Sequence, residues 1–140
     1  MFENILVPTD LSDKSIKALE AAAGIKKGDG SGITLLHVVE TIEDDEGDEE
    51  FQAFYDKLAS RARNRMEKII KKYKDTSFDI NCEVIFGKRV TEIVRYASEN
   101  SVDLIILSSH KIEDADPAGG WATISYKVGI LAGCPVMMVK

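Results

Sequence analysis

Hydrophobic residues fall along this chain in two alternating patterns, which predict strands and helices. Apolar runs with the character of strands occupy residues 4–7, 33–39, 104–108 and 135–139. Apolar residues at helical spacing (i, i+3, i+4, i+7) occupy residues 13–26, 48–73, 89–100 and 121–131. The first run, Asn4–Val7, has no polar alternation, which is typical of a strand that is covered on both faces.

The predicted third strand, Phe78–Phe86, has a different pattern. Apolar and polar residues alternate along it, with Asp79, Asn81 and Glu83 at the polar positions. Such alternation indicates that one face is in contact with water. We therefore expect an edge strand.

Strand and helix alternate four times, which predicts right-handed crossovers and a parallel sheet with helices on both faces. The sequence has no internal repeat and no flexible linker, so residues 1–140 are expected to form one doubly wound α/β domain. Ligands of such sheets bind beyond the carboxyl ends of the strands, where the strand order reverses.

Two features in the middle of the chain allow a functional and a structural interpretation. Acidic residues from Glu43 to Glu50 could form a calcium site, but they lack the Asp-x-Asp-x-Asp-Gly spacing, and a solvated loop is the alternative. The long helix that follows has a stripe of aromatic and aliphatic side chains from Phe51 to Tyr73. We interpret this stripe as core packing and not as a cofactor site.

The charge and composition of the chain indicate which classes of partner it is unsuited to bind. The chain has 24 acidic and 18 basic residues, a net charge of −6, which disfavours nucleic acid or an anionic membrane as the main partner. No apolar run approaches the ~20 residues that span a bilayer, and the N-terminus lacks a basic-then-apolar pattern, so we expect a cytoplasmic protein. Cys82 and Cys134 have no metal-ligand spacing and are expected to be buried thiols.

Two groups of residues have side chains suited to catalysis or metal binding. Ser108-Ser109-His110 contains a nucleophile and a base, but neighbours on a strand point to opposite faces, and no Gly-x-Ser-x-Gly elbow is present. His37 and His110 both lie near strand ends, yet no third ligand is placed with them, and a structural histidine is the alternative. We therefore predict neither a catalytic site nor a metal site.

Four sequence motifs together resemble the universal stress protein family. They are Ile5-Leu6-Val7-Pro8-Thr9-Asp10, Leu35-Leu36-His37-Val38-Val39, Asp103-Leu104-Ile105-Ile106 and Gly133-Cys134-Pro135-Val136, and they extend over the full length of the chain. The resemblance implies a fold like that of the adenine nucleotide alpha hydrolases, with five parallel strands in the order 3-2-1-4-5. It also implies a homodimer, with ATP or AMP as a candidate ligand, since many members bind ATP and others do not.

The family's ATP signature follows strand four and reads Gly, two residues, Gly, nine residues, then Gly-Ser or Gly-Thr. Its glycines let backbone N–H groups approach the phosphates, and its hydroxyl residue opens the last helix beside the positive end of the helix dipole. Here Ser108 and Lys111 stand at the first two glycines, and Ala122-Thr123 stands at the last pair after a longer spacer. Thr123 alone is retained, although Gly119-Gly120 could supply donors from a shifted register.

The other half of the family's nucleotide site is matched more closely. Pro8-Thr9-Asp10 and Val38 match the residues that line its ribose and adenine pocket. Asp10 has an alternative role as a turn or helix-capping residue, and Val38 as plain core. The complete candidate site for a nucleotide or anion consists of Pro8, Thr9, Asp10, Val38, Ser108, Ser109, Lys111 and Thr123.

Charge argues against a triphosphate ligand. Three carboxylates lie in the loop that would surround it, namely Glu113, Asp114 and Asp116. Carboxylates within about a Debye length (~8 Å) repel phosphates appreciably. Lys111 supplies one opposing charge, with Lys88 and Arg89 as further candidates. We expect ATP to bind weakly or not at all, with a different anionic ligand at these cations as an alternative.

Strand five, Pro135–Val139, would be a sheet edge in the order 3-2-1-4-5, yet it has no charge before Lys140. An exposed apolar edge favours pairing with another chain. We therefore predict that a twofold-related copy covers this strand.

The sequence thus indicates a homodimeric, cytoplasmic module that acts in regulation or protection under stress and is not an enzyme. The alternative is a switch that binds ATP or another adenine nucleotide through Pro8-Thr9-Asp10, Val38 and the Ser108–Thr123 loop.

Overall fold

The computed structural model of the protein describes residues 2–26, 32–41, 49–73, 79–109 and 120–140, the last range without the side chains of residues 120–123. Within these ranges, five strands alternate with four α-helices. Their bounds are β1 Ile5–Pro8, α1 Ile16–Ile25, β2 Ile33–Glu40, α2 Glu49–Ile70, β3 Ile80–Gly87, α3 Arg89–Glu99, β4 Leu104–Ser108, α4 Gly120–Leu131 and β5 Val136–Val139. None of the helices in the described ranges is long and apolar enough to cross a membrane.

All five strands are parallel and lie in the order β3-β2-β1-β4-β5. The predicted fold and strand order are therefore confirmed. The central strand β1 pairs with β2 through Ile5↔Ile33 to Pro8↔Leu36, and with β4 on its other side. The order reverses between β1 and β4, and ligands of such sheets usually bind beyond the carboxyl ends of the strands at this point.

The sheet has a hydrophobic core on each face. One core packs against α1 and α2 and contains Ile5, Val7, Leu19, Ile33 and Met66. The other packs against α3 and α4 and contains Leu6, Leu36, Ile93, Ile105 and Val128. Consecutive residues of a strand point to opposite faces, so a strand covered twice must be apolar throughout. This explains the unbroken apolar runs of β1 and β4.

The first helix begins later than the sequence predicts. Residues Asp13–Ser15 form a 3₁₀ turn, and α1 follows from Ile16. Ser12 makes no side-chain capping bond. Its hydroxyl instead donates to Asp10 Oδ1 at 2.6 Å, so Ser12 stabilises the turn after β1 and not the start of the helix.

The apolar stripes of α2 and α4 extend beyond the core. Tyr55 and Met66 are buried as expected, whereas Phe51 and Phe54 at the start of α2 are exposed. In α4, Val128 is buried but Leu131 is 60% exposed. The prediction that the α2 stripe is core packing is confirmed for Tyr55 and Met66 and is wrong for Phe51 and Phe54.

The wet edge strand is confirmed in β3. Asn81 and Glu83 are exposed, and the alternating residues Cys82 and Val84 are partly buried. Gly87 ends the strand at φ 144°, and a Cβ there would lie 2.6 Å from Glu92 Cγ, so only glycine fits between β3 and α3. Phe78 and most of the acidic run Glu43–Glu50 lie outside the described residues.

Candidate functional site

A narrow crevice opens where β1 and β2 end. Its described lining consists of Pro8, Thr9, Leu36, Val38, Arg89 and Ile93, and the space between these walls leaves no room for a water molecule. Ligand pockets for small molecules usually measure about 300–1,000 Å³, so the crevice is closed in this form. Its walls are mostly apolar, with one guanidinium among them. We refer to it below as the strand-end crevice.

Parallel pairing brings the two motif segments together. Pro8 lies in register with Leu36, and Thr9 N donates to Leu36 O at 2.8 Å, which extends the pairing one residue past β1. Leu36 and Val38 point to the α3 side because they are two positions apart on β2. The structure thus brings Pro8, Thr9 and Val38 together, as expected from the resemblance. Leu36 was missed, although its spacing from Val38 was a usable signal.

The hydroxyl of Thr9 belongs to the turn beside the crevice. Thr9 is buried, and its Oγ1 accepts a bond from Leu11 N at 3.0 Å and lies 2.6 Å from Ser15 Oγ. Ser15 Oγ donates in turn to Ser12 O at 2.7 Å. Thr9 Oγ1 is therefore the donor toward Ser15, and its hydrogen-bonding capacity is used within the protein.

Asp10 adopts the turn role among the alternatives that the sequence left open. Its Oδ1 accepts bonds from Ser12 N at 2.9 Å and from Ser12 Oγ at 2.6 Å, the pattern of an Asx turn. It does not cap α1, which begins at Ile16. Asp10 is not among the described lining residues of the strand-end crevice. A role for Asp10 in ligand binding stays a prediction.

Ser108 faces the other side of the sheet. It is 4% exposed, and its Oγ accepts a bond from Ala18 N at 3.3 Å, on the α1 face. Its carbonyl oxygen accepts a bond from Ser125 Oγ at 3.4 Å. Ser109 N donates to Val139 O at 2.7 Å. The structure therefore does not bring the Ser108 hydroxyl into the strand-end crevice.

The side chains of the remaining candidate residues lie outside the described part of the structure. Lys111 and His110 lie outside the described residues, and Thr123 is described only as part of the α4 backbone. Lys88 and Arg89, the two cations that follow β3, have different environments. Arg89 lines the crevice, whereas Lys88 is exposed. Arg89 is the first residue of α3, and its Nε lies 3.8 Å from Glu40 Oε1.

His37 is a hydrogen-bonded, partly buried residue behind the crevice. Its Nδ1 lies 2.9 Å from Thr9 O, and a carbonyl accepts only, so the ring donates from Nδ1. Burial lowers the pKa of His37; the bond to Thr9 opposes this effect, and the charge of Arg89 adds to it. Among the residues with described positions, no three His, Cys, Asp or Glu side chains are grouped to hold a metal ion.

Together, the parallel doubly wound sheet and the strand-end crevice define an α/β protein with a nucleotide-binding-like fold. The sequence model of the universal stress protein family matches residues 1–140. The chain therefore belongs to the universal stress protein family, as the four sequence motifs indicated.

Individual relatives agree with this assignment. The chain is 32% identical over 126 residues to universal stress protein MJ0577 of Methanocaldococcus jannaschii, covering 79% of this chain and 78% of the relative. It is 30% identical to universal stress protein YxiE of Bacillus subtilis over the whole of both chains. The solved structure of MJ0577 superposes with a TM-score of 0.84 at 30% identity, covering 100% of this chain and 96% of that one. Universal stress protein UspA from Lactobacillus plantarum superposes at 0.83 with 24% identity, covering 99% and 98%.

Proposed function

We propose that residues 1–140 form one homodimeric, cytoplasmic regulatory or protective module of the stress response that binds ATP weakly or not at all. The module acts through binding and not through catalysis. The observation that carries this proposal is the placement of Ser108. A serine occupies the position of the first glycine of the family's ATP signature, and its side chain is buried against α1.

A glycine at this position favours phosphate binding because it leaves the backbone N–H groups accessible to the phosphates. Ser108 instead contributes its Oγ to Ala18 and its carbonyl oxygen to Ser125, so it connects β4 to α1 and α4. A residue held by both helices is poorly suited to the backbone adjustment that a phosphate loop requires.

The size and the charges of the site support the same proposal. The strand-end crevice leaves no room for a water molecule, whereas usual ligand pockets measure about 300–1,000 Å³. The segment after β4 contains Glu113, Asp114 and Asp116 in sequence, and a triphosphate brings several negative charges of its own. Repulsion between like charges disfavours the triphosphate more than a ligand with a single phosphate.

ATP binding tests the proposal directly. We expect no adenine nucleotide to copurify in native mass spectrometry of gently purified protein. In calorimetric titration, ATP should bind with a Kd of about 1 mM or weaker, a binding free energy of about −4.1 kcal/mol at most. A copurified nucleotide or a micromolar Kd for ATP contradicts the proposal. The double variant Ser108→Gly/Lys111→Gly, checked for folding, should bind ATP more tightly than the natural chain.

A second candidate function is a switch that responds to an adenine nucleotide with fewer charges. The observation that favours it is the convergence of Pro8, Thr9 and Val38 on one crevice. Two distant members of the fold, a universal stress protein in complex with cAMP and an Arabidopsis thaliana family protein with AMP bound, are 19% and 17% identical to this chain. In this candidate, Asp10, Ser109, Lys111 and Thr123 would contribute to the ligand site, and AMP would be the better probe.

The dimer is proposed to form through β5. Met137 and Met138 of β5 are 38% and 48% exposed, and Ile130 and Leu131 at the end of α4 are exposed as well. β5 pairs only with β4 among the described strands, so its outer edge is open to a second strand. The opposite edge strand, β3, exposes the polar side chains of Asn81 and Glu83, with Phe86 exposed near its end.

A further inference from the structure

Arg89 occupies an unusual place in the strand-end crevice. It is the first residue of α3, its side chain is about one-third exposed, and it lines the crevice together with Val38 and Ile93. The apolar lining residues Leu36, Val38 and Ile93 are buried in the core. Arg89 has a long side chain with several rotatable bonds, so its side chain can move while the buried residues of the core stay in place.

The acidic partner of Arg89 is held loosely. Glu40 is the last residue of β2, two positions past Val38, and its Oε1 lies 3.8 Å from Arg89 Nε. Its side chain is 53% exposed, and exposed ion pairs of this length contribute little to stability. By contrast, Glu92 lies one turn along α3 and accepts a bond from Arg95 at 2.7 Å. Glu40 can therefore be exchanged for another anion at small cost.

The crevice is too small for a ligand unless the Arg89 side chain moves and exchanges Glu40 for another anion. The crevice leaves no room even for a water molecule, so a planar ring can enter only if one wall moves outward. When the Arg89 side chain moves, its guanidinium stays within a side-chain length of the crevice, because its backbone is fixed at the start of α3. An incoming anion can then replace Glu40 as its partner, and guanidinium binds phosphate and carboxylate in a two-pronged geometry.

We propose that Arg89 is the specificity-determining residue of the strand-end crevice. It selects a planar heterocycle that bears one anionic group, of the size of a nucleoside monophosphate, over the same ring without charge. The ring lies against Val38 and Ile93, and the anion displaces Glu40 from Arg89. This inference rests on the second candidate function, that the crevice accepts an adenine nucleotide, and it does not require ATP binding.

Calorimetric titration of the full chain with AMP and with adenosine tests this role. In the natural chain, AMP should bind about tenfold more tightly than adenosine, the effect of one charge-assisted hydrogen bond. Arg89→Gln should abolish that preference, with adenosine changed by less than about twofold, whereas Arg89→Lys should retain part of it. Glu40→Gln should tighten AMP binding about two- to fivefold because the competing carboxylate is gone.

Arg95→Gln is the matched control, since it removes the same charge from the same helix outside the crevice lining, and it should leave the preference unchanged. Thermal unfolding verifies that each variant is folded. The inference is overturned if AMP does not bind at millimolar concentration, or if Arg89→Gln keeps the preference for AMP. Neither result bears on the proposals that ATP binds weakly and that the protein is a dimer. Tight ATP binding, on the other hand, contradicts the proposed function while the comparison of AMP with adenosine still decides the role of Arg89.

Discussion

At the scale of single residues, buried hydroxyl groups hold the ends of β1 and β4 to α1. Ser15, the residue before α1, makes no side-chain capping bond, and the first N–H groups of a helix lack partners within it. Ser108 accepts a bond from one of them, Ala18 N, although it lies 90 residues away in sequence. A residue that sequence reasoning placed in a ligand site therefore caps a helix.

Removal of this cap should destabilise the fold. Ser108→Ala leaves a buried N–H group without its acceptor, so we expect the free energy of unfolding to fall by about 1–2 kcal/mol, the usual cost of a lost helix cap. Urea denaturation monitored by circular dichroism measures the loss. Ser98→Ala is the control, because Ser98 is an exposed serine of α3 away from this contact. Equal stability of Ser108→Ala and the natural chain would show that the bond contributes nothing.

His37 should make stability depend on pH. Burial lowers its pKa in the folded state, so the unfolded state, with a pKa of about 6.5, binds the proton first as the pH falls. The contribution of His37 is complete above that pH and is lost as the pH falls below it toward the folded pKa. For one proton the slope is at most about 1.4 kcal/mol per pH unit.

The His37→Gln variant isolates this effect. A glutamine amide can still donate to Thr9 O but does not titrate, so the variant should lose less stability than the natural chain between pH 7.5 and pH 5.5. Urea titrations at both pH values give the comparison, and carboxylates that titrate in both proteins cancel in the difference. Identical losses in the two proteins would rule out His37 as the source.

At the scale of secondary-structure elements, the two edge strands of the sheet differ in chemistry. β3 exposes the polar residues Asn81 and Glu83 as well as Phe86 near its end, whereas the exposed side chains of β5 are Met137 and Met138. Polar or charged residues on an edge prevent pairing with another chain, and apolar ones favour it. The end of α4, which precedes β5 in the chain, also exposes apolar side chains.

A charge placed on β5 should separate the proposed dimer. Met138→Lys puts two like charges near the twofold axis and removes apolar contact, so light scattering at micromolar protein should give the monomer mass for this variant and the dimer mass for the natural chain. Asn81→Lys adds the same charge to the wet edge β3 and should remain dimeric. A monomeric mass for the natural chain at this concentration would disprove the dimer.

At the scale of the whole molecule, topology separates the crevice from the proposed interface. The crevice lies at β1 and β2, and β5 lies at the far edge, with β4 between them. The register Ser108↔Val139 nevertheless ties the end of β4 to the end of β5. The segment that the family uses for phosphates thus begins beside the last residues of the proposed interface. The crevice itself is separated from β5 by β4, so Met138→Lys should leave the Kd for AMP within about twofold of that of the natural chain.

Much of the fold was predictable because it follows from local patterns. The strand bounds of β4 at Leu104–Ser108 coincide with the prediction, since an apolar run covered on both faces has sharp ends. The helical stripes were less reliable. Phe54 and Leu131 continue the apolar pattern of their helices but are exposed, because periodicity shows which face a residue occupies and not where the neighbouring sheet ends.

The candidate site was predictable only in part. Pro8, Thr9 and Val38 converge because parallel strands end at the same edge. The direction of the Ser108 side chain and the use of Asp10 in a turn depend on contacts with Ala18 and Ser12, which no local pattern reveals.

By itself, the sequence determined the element order, the parallel sheet, the wet edge strand and the family, because each follows from short-range periodicity or from motifs along the chain. Only the tertiary structure decided which side chains share the strand-end crevice. It turned Ser108 toward α1, and it brought Arg89 into the crevice lining with Val38 and within 3.8 Å of Glu40. These arrangements join residues dozens of positions apart, and the packing of helices on the sheet sets them, since parallel strands are brought together only by their crossovers.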